Sequence, residues 1–238
     1  MYNLTFDFNL EKLVQAIAYF SQFGIRDLTK LKIAKLLYFA DKQNLLEFGQ
    51  PIIGDVYFCL DLGPVPSVSL NEMNAAITGL EIPVTQGSDV DVFAKALRVR
   101  KGLFGGQPRF ECKPDAYKPE VFSQNEMSSL RYTANMYGLK SARELVDLTH
   151  QEPTWKTANH GRVAGTGRMI TYDLFFEGAS EKSQRFLAKL VAEQYGTVIP
   201  LVGDADYVSF GNELVSYDFR PDEIPESDVR NSANIIKA

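Results

Sequence analysis

The chain has 238 residues, of which 45% are hydrophobic and 23% charged, with a formal net charge of −5. That balance leaves no question about burying a core, and it fits one large domain or a domain with an appendage. The acidic total argues against a general nucleic-acid binder, which carries a basic surplus, although a local basic face can sit under a negative sum.

Residues 10–24 predict an amphipathic helix, with Leu10, Leu13, Val14 and Ile17 at helical spacing and Gly24 as its stop. The stretch 27–67 organises the chain. Leu31, Ala34, Tyr38, Leu45 and Phe48 mark one side of a helix, and Ile33, Leu36, Leu37 and Ala40 fill much of the remaining circumference. A helix apolar around most of its surface belongs inside a fold. Asp27 or Thr29 suits its N-cap, and Gly49 with Pro51 ends it. A strand over 55–61 follows, with Val56, Phe58 and Leu60 alternating against Tyr57, Cys59 and Asp61. The run Gly63-Pro64-Val65-Pro66-Ser67 predicts a rigid turn, after which Ser67 caps a helix burying Leu70, Met73 and Ile77.

Residues 81–93 lose periodicity and read as a surface loop. A hairpin comes next: Leu97 and Val99 alternate with Arg98 and Arg100, Phe110 and Cys112 with Arg109 and Glu111, and Gly102, Gly105 and Gly106 mark the connection. Ser123-x-x-Glu126 and Ser141-x-x-Glu144 are capping boxes. The first opens a helix that Gly138 closes, and the second opens a shorter one ending at His150. Pro153 and Trp155 follow in an expected turn, and Thr171 suits the cap of a short helix around Leu174 and Phe175. Residues 181–195 predict an amphipathic helix through Phe186, Leu187, Leu190 and Val191. The tail beyond it is acidic, with Asp204, Asp206, Glu213, Asp218, Asp222, Glu223, Glu226 and Asp228, and its apolar members suggest partial packing. The reading is an α+β, predominantly helical domain with a small antiparallel hairpin or sheet.

No residue set here forms a nucleophile, base and stabiliser together. His150 and His160 lack metal-helix spacing, and no nearby cysteine completes a ligand set, so neither a metal nor a cofactor is expected. Cys59 and Cys112, without CxxC spacing, read as reduced buried thiols. The Gly161–Arg168 stretch lacks the Gly-Lys-Ser/Thr ending of a phosphate loop and reads as a flexible connection. Asp41, beside Lys35 and Lys42, reads as an ion-pairing surface residue and Asp55 as a turn former. Lys30, Lys32, Lys35 and Lys42 read as a solvated helix face, and His150 as a hydrogen-bonded tie between a helix end and the Trp155 turn. No signal peptide and no long apolar span stands out, so the cytoplasm is the expected compartment.

Two ordered blocks resemble a known family. The first runs Lys35-Leu36-Leu37-Tyr38-Phe39-Ala40-Asp41, Phe48-Gly49-Gln50-Pro51-Ile52, Gly54-Asp55, then Gly63-Pro64-Val65-Pro66-Ser67. The second runs Phe122-Ser123-Gln124-Asn125-Glu126, Tyr137-Gly138 and Leu148-Thr149-His150, followed by Trp155. Together they resemble the Panacea domain of SocA-like antitoxins of bacterial and phage toxin–antitoxin pairs. The resemblance implies a non-enzymatic antitoxin domain over residues 1–178. A C-terminal helix and acidic tail, 179–238, would be packed on it or appended. It also implies a cognate toxin protein as partner, neutralised by direct binding, with delivery to a protease or its unfoldase as a variant. Expected partner-binding residues are Tyr38, Asp41, Asp55, Pro64, Pro66, His150 and Trp155, because aromatic and proline-framed loops make rigid anchors. The acidic tail is a second candidate for covering a basic toxin site. Two alternatives from other classes are a hydrolase or transferase using His150 with Asp147, and a DNA-binding autoregulator. No membrane partner is expected, and the oligomeric state is not readable.

Overall fold

The computed structural model describes residues 2–79, 89–101 and 106–195. The 81–88 part of the expected loop, most of the glycine connection and the acidic tail lie outside those residues. Helix α1, Leu10–Gln22, is capped by Asn9 and buries Leu13, Val14, Ile17 and Phe20. Helix α2, Lys30–Phe48, starts at Thr29, whose side chain accepts from the Lys32 N–H, and stops at Gly49 in the left-handed region at φ +80°. It is buried for most of its length, from Lys32 to Asp41 and again at Asn44 and Leu45.

Strand β1, Tyr57–Leu60, lies between β2, Gly63–Pro66, and β5, Arg168–Ile170, all antiparallel. The Gly-Pro-Val-Pro run is therefore a strand and not only a turn. Register explains how two prolines fit. The Ser67 N–H donates to the Val56 carbonyl at 2.9 Å. Antiparallel rungs alternate between bonded and non-bonded pairs, so Phe58–Val65 and Leu60–Gly63 are bonded. Pro64 and Pro66 fall on the intervening rungs, where an N–H would point away from β1. On β1, Tyr57 and Cys59 face the core while Phe58 and Leu60 are half-buried.

Helix α3, Ser67–Gly79, buries Leu70, Met73 and Ala76, with Ile77 half-buried. Where a loop was expected up to Phe93, helix α4 occupies Asp89–Ala96 and buries Phe93 and Ala96. Strands β3, Leu97–Arg100, and β4, Arg109–Cys112, form a separate antiparallel ribbon that packs on α1. Both capping boxes are made, at the starts of α5, Gln124–Tyr137, and α6, Ala142–Gln151. Pro153–Asn159 is a helix, α7, with proline in its first turn, where a missing N–H costs nothing. Thr171 precedes a 3-10 turn, Tyr172–Phe176, and α8 spans Glu181–Tyr195. Helix α2 is the hub, packing against β2, α3, α5, α6 and α8. Among the described residues no helix is long and apolar enough to cross a membrane.

The return from α2 into the sheet hangs on Asp41, which is fully buried. One carboxylate oxygen accepts the Ile52 and Ile53 N–H groups at 2.9 and 2.8 Å, and the other accepts the Tyr57 hydroxyl at 3.0 Å. Asp41→Ala leaves two buried amides and a phenol without an acceptor. We predict a loss of about 3 kcal/mol in chemical denaturation, because each orphaned buried donor costs 1–3 kcal/mol. Amide exchange at Ile52 and Ile53 should accelerate more than in α1. Unchanged protection there would show that the carboxylate does not hold the loop.

Candidate functional site

Lys32, Lys35, Asp41 and Asn44 of α2 are buried and bond the backbone of other segments. Lys32, 1% exposed, donates to the Gly138 carbonyl at 2.9 Å and pairs with Asp27 at 2.6 Å. Lys35, 0% exposed, donates to the Pro64 carbonyl at 2.8 Å. Asn44 donates to the Gln50 carbonyl at 2.8 Å and accepts from the Ser129 hydroxyl at 2.9 Å. Asp55, likewise buried, accepts the Val68 and Ser69 N–H groups at 2.9 and 2.8 Å, and so serves as the cap of α3. Four expectations are corrected here: Lys32 and Lys35 are not a solvated face, Asp41 is not a surface residue, and Asp55 is more than a turn former. Ser67 does not cap α3; its hydroxyl donates to the Val56 carbonyl. The signal was present in the sequence, because a helix apolar all round offers no solvent side to its lysines.

Pro64 has its carbonyl on the side of β2 away from β1, where no strand of the described residues follows, and Lys35 supplies the donor. The approach is close enough to require Gly63. At φ +95° it adopts a conformation glycine tolerates, and a Cβ there would lie 2.5 Å from Thr149 Oγ1 and 2.8 Å from Lys35 Nζ.

Above this framework lies a half-buried aromatic pair. The His150 ring stacks on Trp155 with centroids 4.1 Å apart and planes at 26°. The indole N–H donates to the Leu60 carbonyl at 3.4 Å, fixing α7 to the β1–β2 hairpin. His150 Nε2 is buried and has no hydrogen-bond partner, while the ring bonds the Asp61 backbone, so His150 joins the end of α6 to the hairpin turn by that bond and to Trp155 by stacking. Burial, and secondly Lys35, hold the imidazole below its usual range, which favours the neutral ring. Asp147 is exposed, and no hydrogen bond joins it to His150. The α6–α7 junction is pinned from α2 by Lys42, which bonds Glu152 and, at 3.1 Å, Thr154 Oγ1. The Asp61 carboxylate at the hairpin turn holds the glycine-rich connection, accepting from Arg162 and from the Gly165 N–H at 2.9 Å. Arg168 is tied to the Ala158 and His160 carbonyls.

Of the seven residues expected to meet a partner, Tyr38, Asp41, Asp55, Pro64 and Pro66 are buried, while His150 and Trp155 are half-buried. The Tyr38 hydroxyl lies near Thr154 but makes no hydrogen bond. Five of the seven thus lie beneath the surface and two reach it in part. Cys59 is buried and Cys112 only half-buried, both as free thiols. Among the described residues no three His, Cys, Asp or Glu side chains converge as a metal site would require.

The buried amine of Lys35 carries a pH signature. Burial draws it down to about 7 from 10.5, with Cys59 opposing. Between those values the unfolded chain holds a proton that the folded chain has lost, so the stability Lys35 contributes rises with pH across that window. Asp41, pushed up to about 7 from 3.8 by burial, acts oppositely below neutrality, where the folded chain holds the extra proton and stability falls as pH rises. We predict that wild type gains on the order of 2 kcal/mol relative to Lys35→Met from pH about 7 to about 9. Parallel unfolding curves at the two pH values measure it, and a constant difference would place the amine outside the titrating range.

No curated protein and no solved structure matches the chain. The family described as antitoxin SocA-like, Panacea domain, matches residues 33–156, from the body of α2 through the sheet and α6 into α7. That span covers more than half of the chain and holds the Lys35, Asp41 and Asn44 contacts through which α2 is joined to its surroundings, so the chain belongs to the SocA-like antitoxin family and carries its Panacea domain.

Proposed function

We propose that this protein neutralises a toxin protein by binding it directly and covering a surface the toxin needs, a stoichiometric and non-enzymatic action in the cytoplasm. The observation that carries the reading is the family match over 33–156. The disposition of polar groups supports it. The buried Lys, Asp and Asn side chains of α2 are committed to backbone partners, which suits a rigid scaffold better than a reaction centre. The proposed contact surface is the His150–Trp155 pair with the hairpin turn beside it. Tyr38, Asp41, Asp55, Pro64 and Pro66 would act from below by holding that surface in shape. A rigid aromatic anchor loses little entropy on binding, as interface hot spots require. Handing the bound toxin to a protease or its unfoldase is a variant that uses the same first step. The hydrolase alternative has less support, because His150 lacks a hydrogen bond to Asp147 and faces no marked nucleophile.

The test is co-expression with candidate toxins whose expression alone arrests growth. Wild type should restore growth and form a stoichiometric complex, and Trp155→Ala, folded by thermal melting, should weaken that complex about tenfold. His150→Ala separates the classes: rescue lost with toxin binding unchanged would speak for catalysis. A wild-type chain that rescues no toxin would remove direct masking as the function.

A further inference from the structure

The β3–β4 ribbon carries a charge pattern that its own stability does not explain. Leu97 and Phe110 point into the core, while Arg98, Arg100, Arg109 and Glu111 point outward. Register sets Arg98 opposite Glu111 and Arg100 opposite Arg109. Glu111 bonds both neighbours on β3, with Arg98 Nε at 3.1 Å and Arg100 Nε at 2.6 Å. Arg109 is exposed and, among the described residues, has no ion-pair partner. Like charges directly opposite each other on a ladder are destabilising, and three arginines meet one glutamate on this face. In a chain of net charge −5 this is the local basic face that the total conceals.

Register fixes which backbone groups of this ribbon bond across it. The Lys113 N–H donates to the Ala96 carbonyl, and the Phe110 N–H turns away from β3 to donate to the Leu28 carbonyl, both at 2.9 Å. The bonded rungs are therefore Arg98–Glu111 and Arg100–Arg109, and the N–H and C=O groups of Leu97, which is buried, and Val99, which is half-buried, point to the far side of β3. No strand of the described residues pairs there. Arginines two residues apart on a strand match side chains at i and i+2 of a strand laid beside it.

We propose that the solvent face of this ribbon docks an acidic, extended segment of the partner protein, its carboxylates meeting Arg98, Arg100 and Arg109. The inference rests on the antitoxin reading for the identity of that partner as the toxin. A protein segment is favoured over nucleic acid because Glu111 stands among the arginines and the whole chain is acidic, and both would repel a phosphate backbone.

The probe is a fluorescent peptide of about twelve residues alternating Glu and Val, with a Lys–Val counterpart and a duplex DNA of about twenty base pairs as controls. The full chain should bind the acidic peptide in a salt-sensitive manner. Arg100→Glu/Arg109→Glu should lose about tenfold in affinity, and Arg109→Gln, which removes a group with no ion-pair partner among the described residues, about threefold. Equal affinity for all three proteins overturns the assignment. Duplex DNA bound more tightly than the peptide, and released by the same variants, overturns it in favour of nucleic acid. The variants also enter the toxin co-expression assay. A toxin held equally by wild type and by the double variant ends the ribbon assignment and leaves the antitoxin reading intact. A wild type that holds no toxin ends that reading, while the peptide titration still decides the ribbon.

Discussion

The structure depends on one arrangement: four buried polar side chains of α2 bonding to the backbone of segments around it. Lys32 reaches the end of α5, Lys35 the outer edge of β2, Asp41 the loop into β1, and Asn44 the turn at Gln50. A buried backbone group without a partner costs as much as a lost hydrogen bond. By supplying those partners, α2 fixes irregular segments that no ladder or helix would satisfy. It also makes α2 intolerant of change on faces that, on a peripheral helix, would be free to vary.

The two charge types solve different problems. A carboxylate accepts several N–H groups at once, so Asp41 and Asp55 each gather a cluster of donors at a chain reversal, one closing the loop after α2 and the other starting α3. An ammonium can only donate, so Lys32 and Lys35 terminate carbonyls left over at a helix end and a sheet edge. Desolvation moves the acid up and the amine down toward the same neutral range, and both groups stay buried because their hydrogen bonds offset it.

This division separates scaffold from surface. The buried ions stabilise backbone geometry and are not arranged around a reacting atom. What they support, His150 stacked on Trp155 beside the β1–β2 turn, is an aromatic surface on short, tied elements. The basic β3–β4 ribbon lies on α1, in a separate sheet from that hairpin. A binding protein can use two such surfaces with different chemistry, one aromatic for anchoring and one charged for orientation.

Local signals were legible wherever a residue's role is decided by its near neighbours. Both capping boxes, the Gly49 stop of α2 and the alternation of β3 and β4 could be read directly, since each depends on contacts a few residues away. The apolar circumference of α2 likewise announced a buried hub. Strand β5 was not legible, because three residues become a strand only through pairing with β1 more than a hundred positions earlier. Strand β2 was hidden by its prolines, whose acceptability follows from ladder register and not from composition. The same holds for Lys35 and Asp41, whose acceptors and donors, Pro64 and the amides of Ile52 and Ile53, were visible in the sequence but unpaired there. Sequence alone determined most of the helices, the two capping boxes and the family resemblance, because those rest on local order. Tertiary structure decided which charges are buried and what they hold, because a hydrogen bond across the fold exists only once the chain has closed on itself.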